Sequence, residues 1–224
     1  EEMLAQGRRV LFISNKTLHN NFKKDLTKYL TMKNEMDPGK IETHINTNYS
    51  FITLTANNML DQIQNSIKPK DIDLISKIED YVISIDNCFV IIDEAQDFFN
   101  GVTNGSYNYI GLYNLIMDAK NLKGLFLSGS PIINDPFEIA ICYNMCAGYF
   151  YDKDQRYSLF GEDYENFTKY YVNDPSVLNP DAPLKDRPVP SIKNENKFMN
   201  RIIGLTSYYG LDKLELQMPE LLEL

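Results

Sequence analysis

An α/β fold, with a parallel sheet sandwiched by helices, is what this sequence of 224 residues predicts. Three observations carry that expectation. Short apolar runs alternate with longer segments of helical period, the spacing that builds βαβ units. The run Cys88-Phe89-Val90-Ile91-Ile92 is apolar without alternation, as a strand covered on both faces must be. Polar clusters, Asp93-Glu94 and Ser128-Gly129-Ser130, stand directly after two of the apolar runs. Ligands bind at such carboxyl ends in parallel sheets.

The elements follow in order. Residues 8–14 form a short apolar run suited to a buried strand. A Lys-rich segment comes next, with Leu18, Phe22, Leu26 and Tyr29 or Leu30 at helical spacing. Residues 34–48 contain Pro38-Gly39 and read as a loop. Residues 49–54 are the second strand. Pro69 and Asp71 open a helix striped by Ile75, Ile78, Val82 and Ile85, and Asp86-Asn87 breaks it. Residues 88–92 are the central strand, and 100–105 a turn-rich loop. Tyr109, Leu112, Ile116 and Ala119 mark a helix, and Leu125-Phe126-Leu127 reads as another buried strand.

Beyond residue 134 the character changes to a mainly helical extension. Residues 136–147 and 162–171 read as helices. Residues 149–157 are aromatic and polar, and packing against the sheet or a neighbouring domain is preferred for them over base stacking. Residues 173–190 hold five prolines and read as extended loop. The expected division is therefore 1–134 for the sheet domain and 135–224 for the extension.

Composition excludes several classes. Hydrophobic residues make up 43%, aromatics 12% and charged residues 24%, which rules out wholesale disorder and collagen-like or coiled-coil design. There are 22 Lys and Arg against 31 Asp and Glu, a formal charge of −9. That acidity argues against nucleic-acid binding through bulk positive charge, but leaves room for a local basic groove. No apolar run approaches the ~20 residues needed to span a bilayer, so no membrane partner is expected. Three cysteines, Cys88, Cys142 and Cys146, suit an intracellular, reducing compartment and read as buried thiols. His19 and His44 stand near no nucleophile and read as structural.

The carboxylates carry the chemistry. Phosphoryl transfer from a nucleotide needs Mg²⁺ near the phosphates and a base that orients water. An acid at the end of a buried strand can hold the ion, and its neighbour points elsewhere and can polarise the water. Val90-Ile91-Ile92-Asp93-Glu94-Ala95-Gln96 has that arrangement. Followed by a helix, an apolar strand and Ser128-Gly129-Ser130-Pro131-Ile132-Ile133-Asn134, it resembles motifs II and III of superfamily 2 helicases and translocases. Residues 10–18 look like motif Ia, and 51–57 like the Thr-bearing segment near motif Ib. Pro136-Phe137-Glu138-Ile139 and the stretch 200–210 extend the likeness, which is to helicase-type nucleoside triphosphatases of large cytoplasmic DNA viruses.

That resemblance implies a RecA-like sheet, with ATP and Mg²⁺ as cofactors and DNA or RNA as partner. Asp93 would be the metal ligand, and Glu94 with Gln96 catalytic. Ser128, Gly129 and Ser130 would couple nucleotide state to nucleic-acid contact. Asn15, Lys16, Thr55 and Asn57 would face the phosphate backbone. Viral transcription machinery would be a further partner, with a viral factory or virion as the setting. Ser130 replaces the usual Thr, and Gln96 the commoner His or Asp.

The phosphate loop Gly-x-x-x-x-Gly-Lys-Ser/Thr does not occur among the eleven glycines. Only Gly39 precedes a Lys, with Ile41 and Asn34 in place of the required residues. The chain therefore reads as a middle segment of a motor, cut after that loop and before a second RecA-like domain. On its own it is expected to be inactive toward ATP. The alternatives are a non-catalytic, degenerate RecA-like scaffold in a nucleic-acid-processing complex, and a restriction-type translocase.

Overall fold

A computed structural model of the chain describes residues 1–33, 37–67, 84–173 and 191–207. Four parallel strands form its sheet in the order β2-β1-β3-β4. They are β1 (Val10–Ser14), β2 (Tyr49–Thr53), β3 (Phe89–Asp93) and β4 (Lys123–Leu127). The register pairs Ser14 with Thr53, Ile13 with Ile92, and Asp93 with Leu127. All four strands thus end at nearly one level.

Side chains alternate across the sheet and feed two apolar clusters. Leu11, Ile13, Val90 and Ile92 point into the larger. Helices α4 (Met59–Ile67), α5 (Ala95–Thr103), α6 (Tyr107–Asp118) and α7 (Glu138–Ala147) cover it. Phe167 and Tyr171 of α8 (Tyr164–Tyr171) and Phe198 of α9 (Glu195–Ile202) join the same cluster. Val10, Phe12 and Ile91 point to the other side, against α2 (Lys16–Met32) and α3 (Pro38–Asn48). Leu4 of α1 (Glu2–Ala5) packs there too. The sheet is sandwiched by helices, as the apolar runs predict. Among the described residues no helix is long and apolar enough to cross a membrane.

Gly7 and Gly101 show where a side chain would not serve. Gly7, at φ +74°, ends α1 by donating to Leu4 while Arg8 donates to Met3, the left-handed cap that favours glycine. A Cβ at Gly101 would lie 2.1 Å from the Tyr109 ring, so its absence lets α6 close onto α5.

Several expectations need correction. Residues 38–48, read as loop, are α3. Asp37 accepts a hydrogen bond from the Gly39 amide and caps it, and proline occupies the first turn, where a missing N–H costs nothing. Ile41 and Ile45 then bury one face. Pro38-Gly39 therefore starts a helix instead of interrupting one. Residues 100–103, read as the start of a loop, are the last turn of α5.

β4 is a strand but not a buried one. It pairs only with β3 among the described residues, and Leu125 and Leu127 are each 43% exposed. They point to the face that α2 and α3 cover over β1 and β2 only. An apolar run signals a strand; how much of it is covered depends on its place in the sheet.

The aromatic segment forms a hairpin of β5 (Phe150–Asp152) and β6 (Gln155–Tyr157). Only Tyr149 packs toward the core, while Phe150, Tyr151 and Tyr157 are exposed. A second small ladder joins β7 (Val172–Asn173) to β8 (Ser191–Ile192). The helix expected over 69–85 and the proline-rich segment 174–190 lie outside the described residues, although Ile85 is buried in the larger cluster. Cys88 is buried, and Cys142 and Cys146 are half-buried.

His19, on α2, is buried against the sheet. Its Nε2 lies 3.1 Å from the Ile52 carbonyl oxygen and must carry the proton to donate to it. Burial lowers its pKa below the ordinary 6.5, and the nearby Lys23 acts the same way. The neutral ring is thus the folded form. Above that ordinary value neither state is protonated; as pH falls, the unfolded chain takes up the proton first and stability is lost. Melting temperature is therefore expected to fall between about pH 7 and pH 5. In His19→Gln that dependence should be shallower. Parallel melting curves of the two proteins, with no difference in slope against pH, would contradict this account.

Candidate nucleotide and nucleic-acid edge

Because the strands are parallel and end level, their following residues meet at one edge. Asn15 and Lys16 follow β1, Thr55 and Asn57 follow β2, Asp93 and Glu94 stand at the end of β3, and Ser128-Gly129-Ser130 follows β4. The fold brings every sequence-predicted site residue to this edge. The opposite edge is tied internally. The Arg8 guanidinium donates to the Asn121 carbonyl and side chain, Asn121 donates to Asn87, and the Lys120 amide to Asp86.

The turn from β3 into α5 is abrupt. Glu94 sits at φ 54°, ψ 49°, left-handed backbone that non-glycine residues seldom adopt. Such strain costs on the order of 1–3 kcal/mol and concentrates at functional sites. Here it turns the chain at once into α5, with Ala95 buried behind it and the Glu94 side chain exposed. The Glu94 amide donates to Asp93 Oδ1 at 3.1 Å.

From Glu94 a hydrogen-bonded relay crosses to the next strand. Gln96 Nε2 donates to Glu94 Oε2 at 2.6 Å. Ser128 Oγ donates to Gln96 Oε1 at 2.5 Å and accepts the Ser130 amide at 3.1 Å. The carboxylate can only accept, so the orientation of the Gln96 amide is forced and the hydroxyl proton must point to Gln96. A glutamine suits this place because it donates on one side and accepts on the other. Gly129 and Ser130 lie in the exposed loop beyond, and no neighbour lies within 4 Å of a Cβ built on Gly129.

Two further residues join this edge: Glu138, which sequence reading meets only within the Pro136–Ile139 likeness and without a role, and Asn100, which it does not single out. Glu138 is fully buried. Its Oε1 accepts from Asn100 Nδ2 at 2.7 Å and from the Asn134 amide at 3.3 Å, and its Oε2 from the Ile133 amide at 2.6 Å. A buried charge is tolerated only with such bonding, and the first turn of α7 adds the favourable end of the helix dipole. The signal was legible: one acid inside the apolar run Phe137, Ile139, Ala140, Ile141.

Lys16 is exposed, Asn15 stands half-buried at the N-cap position of α2 with its carbonyl accepting the Leu18 amide, and Thr55 and Asn57 are exposed. Asn108 donates to the Asn57 carbonyl at 3.0 Å, which ties that loop to α6. Lys23 lies 4.3 Å from the Phe51 ring centroid.

Among the described residues no group of three His, Cys, Asp or Glu side chains is placed to hold a metal ion. A lone carboxylate completed by water and phosphate oxygens is nevertheless a set that Mg²⁺ takes at nucleotide sites. Asp93, half-buried at a strand end, fits it.

Sequence comparison finds similar viral proteins. The chain is 34% identical over 205 residues, 89% of its length, to a "Termination factor NPH-I homolog" of African swine fever virus from a Kenyan pig isolate. The same protein from a South African tick isolate is 33% identical over the same span. A protein of Acanthamoeba polyphaga mimivirus, provisionally named an ATP-dependent RNA helicase, is 30% identical over 130 residues, 53% of the chain. The chain is a homologue of these viral proteins. No family model matches it. It spans 24% of the length of the African swine fever virus relatives and 13% of the mimivirus one. At 89% of the chain, the matches to the African swine fever virus relatives must take in most of the four-stranded sheet.

Proposed function

We propose that the chain is part of an ATP-dependent helicase or translocase motor of superfamily 2, which couples nucleoside triphosphate hydrolysis to remodelling of DNA or RNA in viral transcription. The observation that carries this reading is the Glu94–Gln96–Ser128 relay, which links a candidate water-activating carboxylate to the loop after the neighbouring strand. Names of the relatives support it: a termination factor and an RNA helicase.

In this reading residues 1–134 supply the nucleotide-facing edge and 135–224 the extension. Asp93 would hold Mg²⁺, which when bound neutralises phosphate charge. Glu94 would orient and deprotonate the attacking water. Gln96 would report the state of Glu94 to Ser128, Gly129 and Ser130. Asn15, Lys16, Thr55 and Asn57 would contact phosphates of the nucleic acid, with Lys16 supplying the charge.

The test is ATP turnover by the full-length protein, with and without DNA or RNA. Stimulation by nucleic acid is expected, and Gln96→Ala should reduce that stimulation by about tenfold, within the usual range of coupling between sites. Full-length protein without nucleotide turnover would favour the scaffold reading. The 224-residue chain contains no Gly-Lys-Ser/Thr phosphate grip, so it should show no useful turnover alone. Robust turnover by it, abolished in Glu94→Gln, would sink that expectation.

A further inference from the structure

Gln96 and Asn100 stand one helical turn apart on α5, so they share a face. Each grips one end of the same loop. Gln96 takes Ser128 at its start. Asn100 takes Glu138, whose carboxylate holds the amides of Ile133 and Asn134 at its end. Asn104, a turn further on, donates to Asn100 Oδ1 at 3.0 Å, which leaves the Asn100 amide nitrogen aimed at Glu138. The residues between the two grips, 129–132, are exposed.

We propose that Glu138 and Asn100 are positioning residues which clamp the 128–134 loop to α5, so that the loop moves with the helix carrying Glu94. Without the second grip the loop would hang from a single hydroxyl on an exposed side chain. With it, a displacement of the start of α5 shifts both ends of the loop together. Glu138 suits the task because one carboxylate can accept three donors, whereas glutamine, its neutral polar counterpart, offers a donor of its own. The clamp is a structural statement about this chain. Its consequence for coupling rests on the motor reading above.

Two variants separate the possibilities. Glu138→Gln keeps the shape but turns one of its two positions into a donor facing donors. Asn100→Ala leaves Glu138 on the loop amides and removes only the arm to α5, so it is the milder variant for folding. Amide hydrogen exchange on the 224-residue chain is the first readout. In Glu138→Gln, exchange at Ile133 and Asn134 should rise by about tenfold or more, as expected for loss of bonds to a charged acceptor. In both variants the rise should reach Ser130, whose amide is held at the other grip. A rise confined to Ile133 and Asn134 would overturn the clamp.

The second readout is the ratio of nucleic-acid-stimulated to unstimulated turnover in the full-length protein. It should drop by about tenfold in both variants. An unaltered ratio in both would overturn the coupling role and leave the motor reading standing. If the unmodified protein shows no stimulation, the motor reading fails, and exchange at Ser130 alone decides the clamp.

Discussion

Glu94→Gln in the full-length protein is expected to lower nucleoside triphosphate turnover by about 10²- to 10⁴-fold, the usual contribution of a positioned general base. In barrier terms this is roughly 3–5 kcal/mol. The substitution is chosen because it separates basicity from architecture. A glutamine at 94 still offers an oxygen to Gln96 Nε2, so the relay to Ser128 can persist. The left-handed backbone is equally strained for either side chain. The fold and nucleotide affinity should therefore be kept while the chemical step is lost. Turnover measured at saturating nucleotide, beside a melting curve, checks this. A kcat within a few-fold of the unmodified protein would remove Glu94 from the chemistry. Loss of turnover together with collapse of the melting transition would instead indicate a structural role.

Phe98→Ala is expected to be the most destabilising of the substitutions considered, by about 3–5 kcal/mol. Phe98 is fully buried, with its ring edge-on to Phe99 at 6.1 Å and to Tyr109 at 5.9 Å between centroids. It lies on α5, between Gln96 and Asn100, and anchors the helix that presents both. Removing the ring deletes buried area and leaves a cavity that α5, α6 and the sheet cannot close without moving. Against a total of roughly 5–15 kcal/mol for a typical domain, that is a large share. Urea denaturation should show a lower midpoint with unchanged slope. As a contrast, Tyr107, 84% exposed at the start of α6, should tolerate alanine within about 0.5 kcal/mol. Equal effects at the two positions would refute the packing described for α5.

Much of the architecture was legible because local signals were strong. All four strands of the parallel sheet coincide with the expected strand segments, α2 and α6 follow from apolar residues at helical spacing, and α7 and α8 fall in segments read as helical. The errors have physical causes. Pro38-Gly39 carries opposite meanings in a loop and in a capped first turn, and only the Asp37 bond to the Gly39 amide decides between them. Three apolar residues in β4 mark a strand, but cover on its second face comes from helices far away in sequence. Asp93, Glu94 and Gln96 were found through their contiguity. The pairing of Glu138, met only within the Pro136–Ile139 likeness, with Asn100 was not, because the two are 38 positions apart and meet only after α5 and α7 pack.

The residues alone thus determined the kind of fold and the edge where its chemistry would gather. Strand identity depends on runs of side chains that are neighbours along the chain. Parallel connection then forces the carboxyl ends to one side, so Asn15, Thr55, Glu94 and Ser128 share an edge in any such sheet. Tertiary structure alone decided how those residues connect. Hydrogen-bond direction, the buried carboxylate of Glu138 and the two grips on the 128–134 loop depend on distances between elements remote in sequence. Such bonds form only where packing has brought donor and acceptor within 3 Å or so, and no local pattern encodes that.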